Sequence, residues 1–192
     1  MGLPYEDAPE EAEAYCCFML KSGLGNAVIS CDTDCLAHGA KEVILTYDYK
    51  TDACTVINLE DMLSQMNFTY EQFLDYAILI GCDYNKKNKL PKVGPVKAFE
   101  LIKKYGCIEN IKEYDTTVLK HEEIRKLFNP VYPLKESLKE KFFTRREIDE
   151  EVFSNFVDEH DLKLNYLYIK SIVKKLNKKE IEIEFTTLPT EE

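Results

Sequence analysis

Five consecutive residues constrain this chain more than any others: Ala27 to Cys31 (AVISC), bounded by Gly25-Asn26 on one side and Asp32 on the other. A run this short and this apolar suits a strand buried on both faces, which requires helices to cover a sheet from two sides. The strand runs straight into Asp32-Thr33-Asp34. In open α/β sheets ligands bind beyond the carboxyl ends of the strands, and residues i and i+2 of an extended segment point the same way. Asp32 and Asp34 are therefore placed to share an ion. Hard oxygen donors with no His or thiolate partner favour Mg²⁺ or Mn²⁺ over zinc. A solvated strand-to-helix turn with a capping Asp accounts for the same two residues equally well.

The rest of residues 1–83 reads as alternating helix and strand. Asp7 is a candidate cap for a helix with Pro9 in its first turn and apolar positions at Ala12, Tyr15, Cys16, Met19 and Leu20, ended by Gly23. Glu42 to Tyr47 and Cys54 to Leu59 are β-branched runs around DYKTDA, the pattern of a hairpin with a longer loop. In TYEQFLDYAILIG, Thr69 and Gln72 have capping-box spacing, and Phe73, Ala77 and Ile80 form an inward stripe. The character changes near residue 84, and segments 1–83 and 84–192 are expected as two regions. The second is mainly helical: Pro95 starts a helix with Ala98, Leu101 and Ile102 on one face and Gly106 at its C-terminal cap. Further helices are expected at Glu122 to Leu127, Glu147 to His160 and Tyr166 to Lys178, with NPVYP as an irregular break and a closing strand in KEIEIEF.

Composition sets outer bounds. With 192 residues, 45% of them hydrophobic, the chain can bury a sizeable core, and Gly 7 and Pro 7 are too few for a linker protein. No apolar run approaches the ~18 residues of a spanning helix, and the first residues lack the basic and apolar regions of a secretory signal. Seven cysteines without a Cys-x-x-Cys pair suggest buried small hydrophobes in a reducing compartment. A net charge of −10 argues against a diffuse basic surface. It conceals a local one: residues 85–105 hold Lys86, Lys87, Lys89, Lys92, Lys97, Lys103 and Lys104 against Glu100 alone, a balance of +6. The Gly94-Pro95 turn beside them offers backbone N–H groups at a helix N-terminus, suited to phosphate. A solvated lysine-rich face is the plainer alternative.

Three more carboxylates draw attention by position. Glu11 and Glu13 lie in the first turns of the first helix, where acids also simply complement the helix dipole. On a regular helix they would point about 200° apart, so one would bind metal directly and the other through a water. Asp83 follows ILIGC, where an acid commonly just ends a helix.

APEEAEAYCCFMLKSG, AVISCDTDCLAHGA, ILIGCDY and LPKVGPVKAFELIKKYG, in that order, closely resemble the internal catalytic segment of the XPG and flap endonuclease family of structure-specific 5′ nucleases. The likeness continues more loosely through IRKLFNP and the late helices. It implies a partial 5′-nuclease (PIN-like) α/β sheet flanked by helices, followed by a mainly helical region with a helix-two-turn-helix. It places Glu11, Glu13, Asp32, Asp34 and Asp83 on catalytic metal-ligand positions for two Mg²⁺ ions, with Mn²⁺ as substitute. It makes Gly81, Lys92, Gly94, Lys97 and Lys103 DNA-binding, with contacts that are sequence-independent and salt-sensitive.

Two departures from the family pattern stand out. Lys92 occupies the first of two positions that usually hold glycine in the turn, so the monovalent cation site of that turn is not carried over. Met1 to Tyr5 resembles the strand that leads into the acidic helix, so the family's front segment, with its first strand, further aspartates and helical arch, is expected to be missing or supplied separately.

The resemblance implies branched or flapped DNA as partner, no membrane and an intracellular, nuclear setting, and no sliding-clamp peptide is visible. A non-catalytic DNA-binding module is the main alternative. A haloacid-dehalogenase-type phosphatase also uses Asp-x-Asp after a buried strand, but Leu36 stands where Thr or Val belongs, and Glu11, Glu13 and the lysine turn would have no role.

Overall fold

The computed structural model describes residues 5–48, 50–134, 138 and 149–160. Residues 6–135 pack as one unit, and 1–5 with 136–192 as a second. Of the second, the described helix is Glu150–Glu159 (α7), whose cap Asp149 accepts hydrogen bonds from the N–H groups of Glu151 and Val152 at 2.9 and 3.1 Å. It begins three residues later than expected. The expected helix at Tyr166 to Lys178 and the closing strand lie outside the described residues, as do Met1 to Pro4.

In the larger unit, α1 (Ala12–Lys21) precedes β1 (Val28–Ile29), α2 (Asp34–Ala37), β2 (Glu42–Asp48) and β3 (Ala53–Asn58). The three strands form one sheet in the order β1-β2-β3, with β1 parallel and β3 antiparallel to β2. Pairing of Val28 with Val43 and Ile29 with Ile44 sets the parallel register. The hairpin falls where β-branched residues flank DYKTDA, with Asp52 left-handed at φ 57°.

The strand expected over Ala27 to Cys31 is shorter and only half covered. Val28 is buried, whereas Ile29 is 76% exposed. Period-two alternation turns Ile29 to the other face, which no described helix covers. An apolar run alone cannot separate one-sided from two-sided burial.

α3 (Leu59–Met66), which the hydropathy pattern did not single out, is capped by the Asn58 side chain accepting from Asp61 N–H at 3.1 Å. It ends on left-handed Asn67. α4 (Tyr70–Ile80) opens with the expected capping box: Thr69 N–H donates to Gln72, and Gln72 N–H donates to Thr69 Oγ1. Its buried face is Phe73, Leu74, Ile78 and Leu79, so the inward stripe sits one residue round from the expected Ala77 and Ile80. α5 (Pro95–Tyr105) has Pro95 at its start, Ala98, Leu101 and Ile102 buried and Gly106 at its end, as the sequence indicates. α6 (His121–Leu127) follows two short 3₁₀ turns. One hydrophobic core runs from Cys17 through Val43, Ile78 and Ile102 to Phe128, so packing is continuous across the change of character near residue 84.

Two local expectations change. Asp7 caps nothing: α1 begins at Ala12 with Glu11 at its cap, and Cys17, not Cys16, faces the core. The cysteines are mixed rather than uniformly buried, since Cys16, Cys31 and Cys54 are exposed. All seven are free thiols.

Within α4, Asp75 is buried at 2% exposure. Arg125 on α6 grips it with Nε to Oδ1 and Nη2 to Oδ2, both 2.7 Å, and Ile108 N–H donates at 3.0 Å. Burial pushes the Asp75 carboxyl up, and the Arg125 bonds oppose that push. Sequence patterning missed this pair because an acid among apolar helix residues looks like a surface position. Among the described residues no helix is long and apolar enough to cross a membrane.

Candidate functional site

Glu11, Glu13, Asp32, Asp34 and Asp83 all line one cleft of about 140 Å³, together with His38 and Tyr84. Separate stretches of chain deliver them, and the local backbone explains how. Glu11 is the extended N-cap of α1, at φ −69° and ψ 133°, while Glu13 lies in the first helical turn. Because Glu11 stands outside the helix, the 200° divergence expected of two helical neighbours does not arise.

Asp32 and Asp34 converge by a turn rather than by extension. The strand stops at Ile29, Thr33 is helical, and Asp34 opens α2, with its N–H donating to Asp32 Oδ1 at 2.8 Å. Asp32 therefore performs the capping role and also faces the cleft. Tyr70 holds the far end of α2, its hydroxyl donating to Ala37 C=O at 2.5 Å.

Asp83 begins a 3₁₀ turn, Asp83–Asn85, just after α4. Buried Asn85 fixes that turn: its Oδ1 accepts from Cys82 N–H and its Nδ2 donates to Ile78 C=O, both at 2.8 Å. Gly81 has φ +96°, a backbone conformation that favours glycine, whereas a Cβ there would meet only the end of the Lys89 side chain, which can swing aside. Asp83 itself is exposed and paired with Lys86 at 3.0 Å.

The electrostatics are those of a crowded anionic site. Asp34 is pushed up from the ordinary carboxylate range by burial, then by the charges of Asp32 and Asp83, with Glu11 adding to them and the Asp83 backbone N–H opposing. The cleft carboxylates are spread out: among the described residues, the group of three or more His, Cys, Asp or Glu side chains with ligand atoms all within 4.8 Å of one another lies elsewhere.

Two cleft residues escaped the sequence reading. Tyr84 donates its hydroxyl to Glu11 and lies 3.4 Å from His38 Nε2, while His38 Nδ1 contacts Phe128 C=O at 3.2 Å. His38 is 2% exposed, and burial pushes its imidazole down toward the neutral form. With Nδ1–H donated to the carbonyl, Nε2 is left as an acceptor facing Tyr84. Tyr84 has a single O–H and gives it to Glu11, so Nε2 lies beside Tyr84 without bonding to it, and Tyr84 is what orients the carboxylate. A Tyr directly after Asp83 was the available signal for it.

None of the residues expected to bind DNA lines the cleft itself. Lys92 has φ 62°, the left-handed region favoured by glycine. Gly94, the cap of α5, makes no side-chain cap bond, and the space around its Cα is open. The lysines are less free than a +6 balance suggests. Lys86 faces Asp83, Lys97 lies 3.5 Å from Glu100, and Lys104 lies 2.8 Å from Glu113. Lys103 sits over the rings of Phe68 and Phe99 at 5.6 and 5.7 Å and is within 3.4 Å of Asn67 C=O. Lys87 and Lys92 are exposed.

Known proteins are similar to this chain in sequence and in fold. The XPG I-region family matches residues 2–83. Flap endonuclease 1 of Methanococcus aeolicus is 34% identical over 184 residues, covering 93% of this chain and 54% of that protein. The solved flap endonuclease-1 of Methanococcus jannaschii superposes with a TM-score of 0.72 at 29% identity, over 91% of this chain and 53% of that one. The catalytic core of Rad2, solved with a DNA substrate, has the same fold at a TM-score of 0.66 and 19% identity. The chain thus spans about half the length of these archaeal relatives. The ordered acidic blocks, the cleft they build and these likenesses agree: this chain belongs to the XPG and flap endonuclease family.

Proposed function

We propose that this chain is the catalytic portion of a divalent-metal-dependent, structure-specific 5′ nuclease that cuts phosphodiesters in branched DNA during replication or repair. The observation that carries the reading is the convergence of Glu11, Glu13, Asp32, Asp34 and Asp83 on one cleft. Asp34 is pushed up by burial and then by repulsion from Asp32 and Asp83, both of which cations would offset, and an all-oxygen donor set suits Mg²⁺ or Mn²⁺. The spread of the carboxylates fits sharing between two ions. Such ions, when bound, polarise a phosphodiester and supply a hydroxide nucleophile.

The chain's own residues orient and exclude. Tyr84 holds Glu11 toward the cleft, and Asp32 fixes α2 so that Asp34 faces inward. The turn around Gly94 and the lysines Lys92, Lys97 and Lys103 would hold duplex phosphates, with Gly81 setting the approach to Asp83. In this division residues 1–83 carry the chemistry and 84–192 the grip on DNA. A front segment of the kind found in the family would complete the site, either within a longer chain or as a separate piece.

A 5′-flap substrate with Mg²⁺, set beside a phosphomonoester and a mobility-shift titration in Ca²⁺, tests this. Flap cleavage lost in Asp34→Ala with retained DNA binding is the expected result. Binding without cleavage under any metal would favour the non-catalytic module, and phosphomonoester turnover would overturn both.

A further inference from the structure

We propose that Glu109, His121 and Glu122 form a second cation site, separate from the carboxylate cleft and suited to a borderline divalent ion of the zinc class. One ligand atom from each lies within 4.8 Å of the others. Unlike the cleft, this group offers a nitrogen. His121 opens α6, its side chain is 12% exposed, and both of its ring nitrogens are buried without a hydrogen-bond partner among the described residues. Nε2 lies 3.4 Å from Glu109 Oε1 yet makes no hydrogen bond to it. Leaving polar atoms buried and unsatisfied is costly, and a metal ion on one ring nitrogen would remove part of that cost while serving the neighbouring carboxylates.

Charge and chemistry point the same way. The carboxylates of Asp75, Glu109 and Glu122 outnumber the single guanidinium of Arg125 among them. Arg125 binds both oxygens of Glu109, but each carboxylate oxygen has a second lone pair, so the arginine can orient Glu109 as an outer partner while a ligand position stays open. Glu122 alone would be explained as an acid complementing a helix start. That explanation leaves the imidazole nitrogens unaccounted for. Imidazole and carboxylate are both zinc donors, and a nitrogen donor raises affinity for Zn²⁺ or Co²⁺ above that for Mg²⁺. A bound ion would tie the 3₁₀ turn at Ile108–Asn110 to α6, next to the Asp75–Arg125 pair.

The chain has three histidines, so imidazole resonances report the sites separately: His38 lines the cleft, His121 the proposed site, and His160 serves as a reference. Zn²⁺ titrated into the isotope-labelled full chain should shift the His121 resonances within the first equivalents, while millimolar Mg²⁺ moves His38 and not His121. Glu122→Gln should weaken the His121 response to Zn²⁺ at least tenfold and leave the Mg²⁺ response of His38 unchanged. His121→Asn should abolish the Zn²⁺-induced rise in melting temperature; Glu122→Gln carries the test if that variant does not fold. Zn²⁺ that moves only His38 or the cysteine resonances, or a Glu122→Gln chain that binds as before, overturns the proposal. None of these outcomes depends on nuclease activity.

Discussion

Replacing Arg125 with Leu should destabilise residues 6–135 more than Asp75→Asn, although both break the same pair. The Asp75 side chain is 3% exposed and Arg125 29%, so removal of the arginine strands a carboxylate in the core. Stranding one partner of a buried ion pair costs about 3–5 kcal/mol, and the partial exposure of Arg125 places this case near the low end, about 3 kcal/mol. Asp75→Asn instead keeps an acceptor for Ile108 N–H and leaves Arg125 bonded to Glu109, for a loss of about 1–2 kcal/mol. Burial already pushes the Asp75 carboxyl up, and Arg125 is the group that opposes it. In the Leu variant the folded state therefore binds a proton more readily than the unfolded chain, so its deficit is largest at neutral pH and shrinks as pH falls. The chain has no Trp and 12 Tyr, so urea denaturation followed by circular dichroism and tyrosine emission under reducing conditions is the assay. A loss for Arg125→Leu no greater than for Asp75→Asn, or a deficit that does not change with pH, would refute the reasoning.

Lys92→Gly should stabilise the chain by about 0.5–1 kcal/mol, because the residue sits at φ 62° and relief of left-handed strain exceeds the added freedom of the unfolded chain; a lower denaturation midpoint would contradict it. Glu109 is held down to about 2, first by its Arg125 hydrogen bonds, so its contribution is present above its unfolded value of 4.5 and lost as pH falls from there toward 2; Glu109→Gln should flatten an acid titration of stability over that window. Lys97→Ala should weaken DNA binding about equally across sequences and reduce the salt slope by about 1, measured by anisotropy at several ionic strengths. Tyr84→Phe should keep the fold, since the ring packs against Phe128 at 5.0 Å, but should lower any metal-dependent cleavage by freeing Glu11, measured as the cleavage rate beside an unchanged denaturation midpoint.

Much of the site was legible because its residues are fixed by local chemistry. Asp32 must follow a strand and precede α2, and Thr69, Pro95 and Gly106 announce the ends of α4 and α5. What local patterns misjudged were orientations. Glu11 and Glu13 were read as helical neighbours, yet one is a cap, and Ile29 was read as buried although it faces outward. The lysine balance was correct as a count and too strong as a field, because folding brings Asp83 and Glu113 against Lys86 and Lys104.

The sequence by itself determined most of the elements, α3 excepted, and placed Asp32, Asp34 and Asp83 at their ends, since capping, turn and β-branched preferences act over a few residues. Only the tertiary structure decided what those ends meet. The buried His38 beside Tyr84, the grip of Arg125 on Asp75 and the approach of the unsatisfied His121 to Glu109 join residues well apart in the chain. Such pairings follow from desolvation and packing of whole elements, which no short window of sequence records.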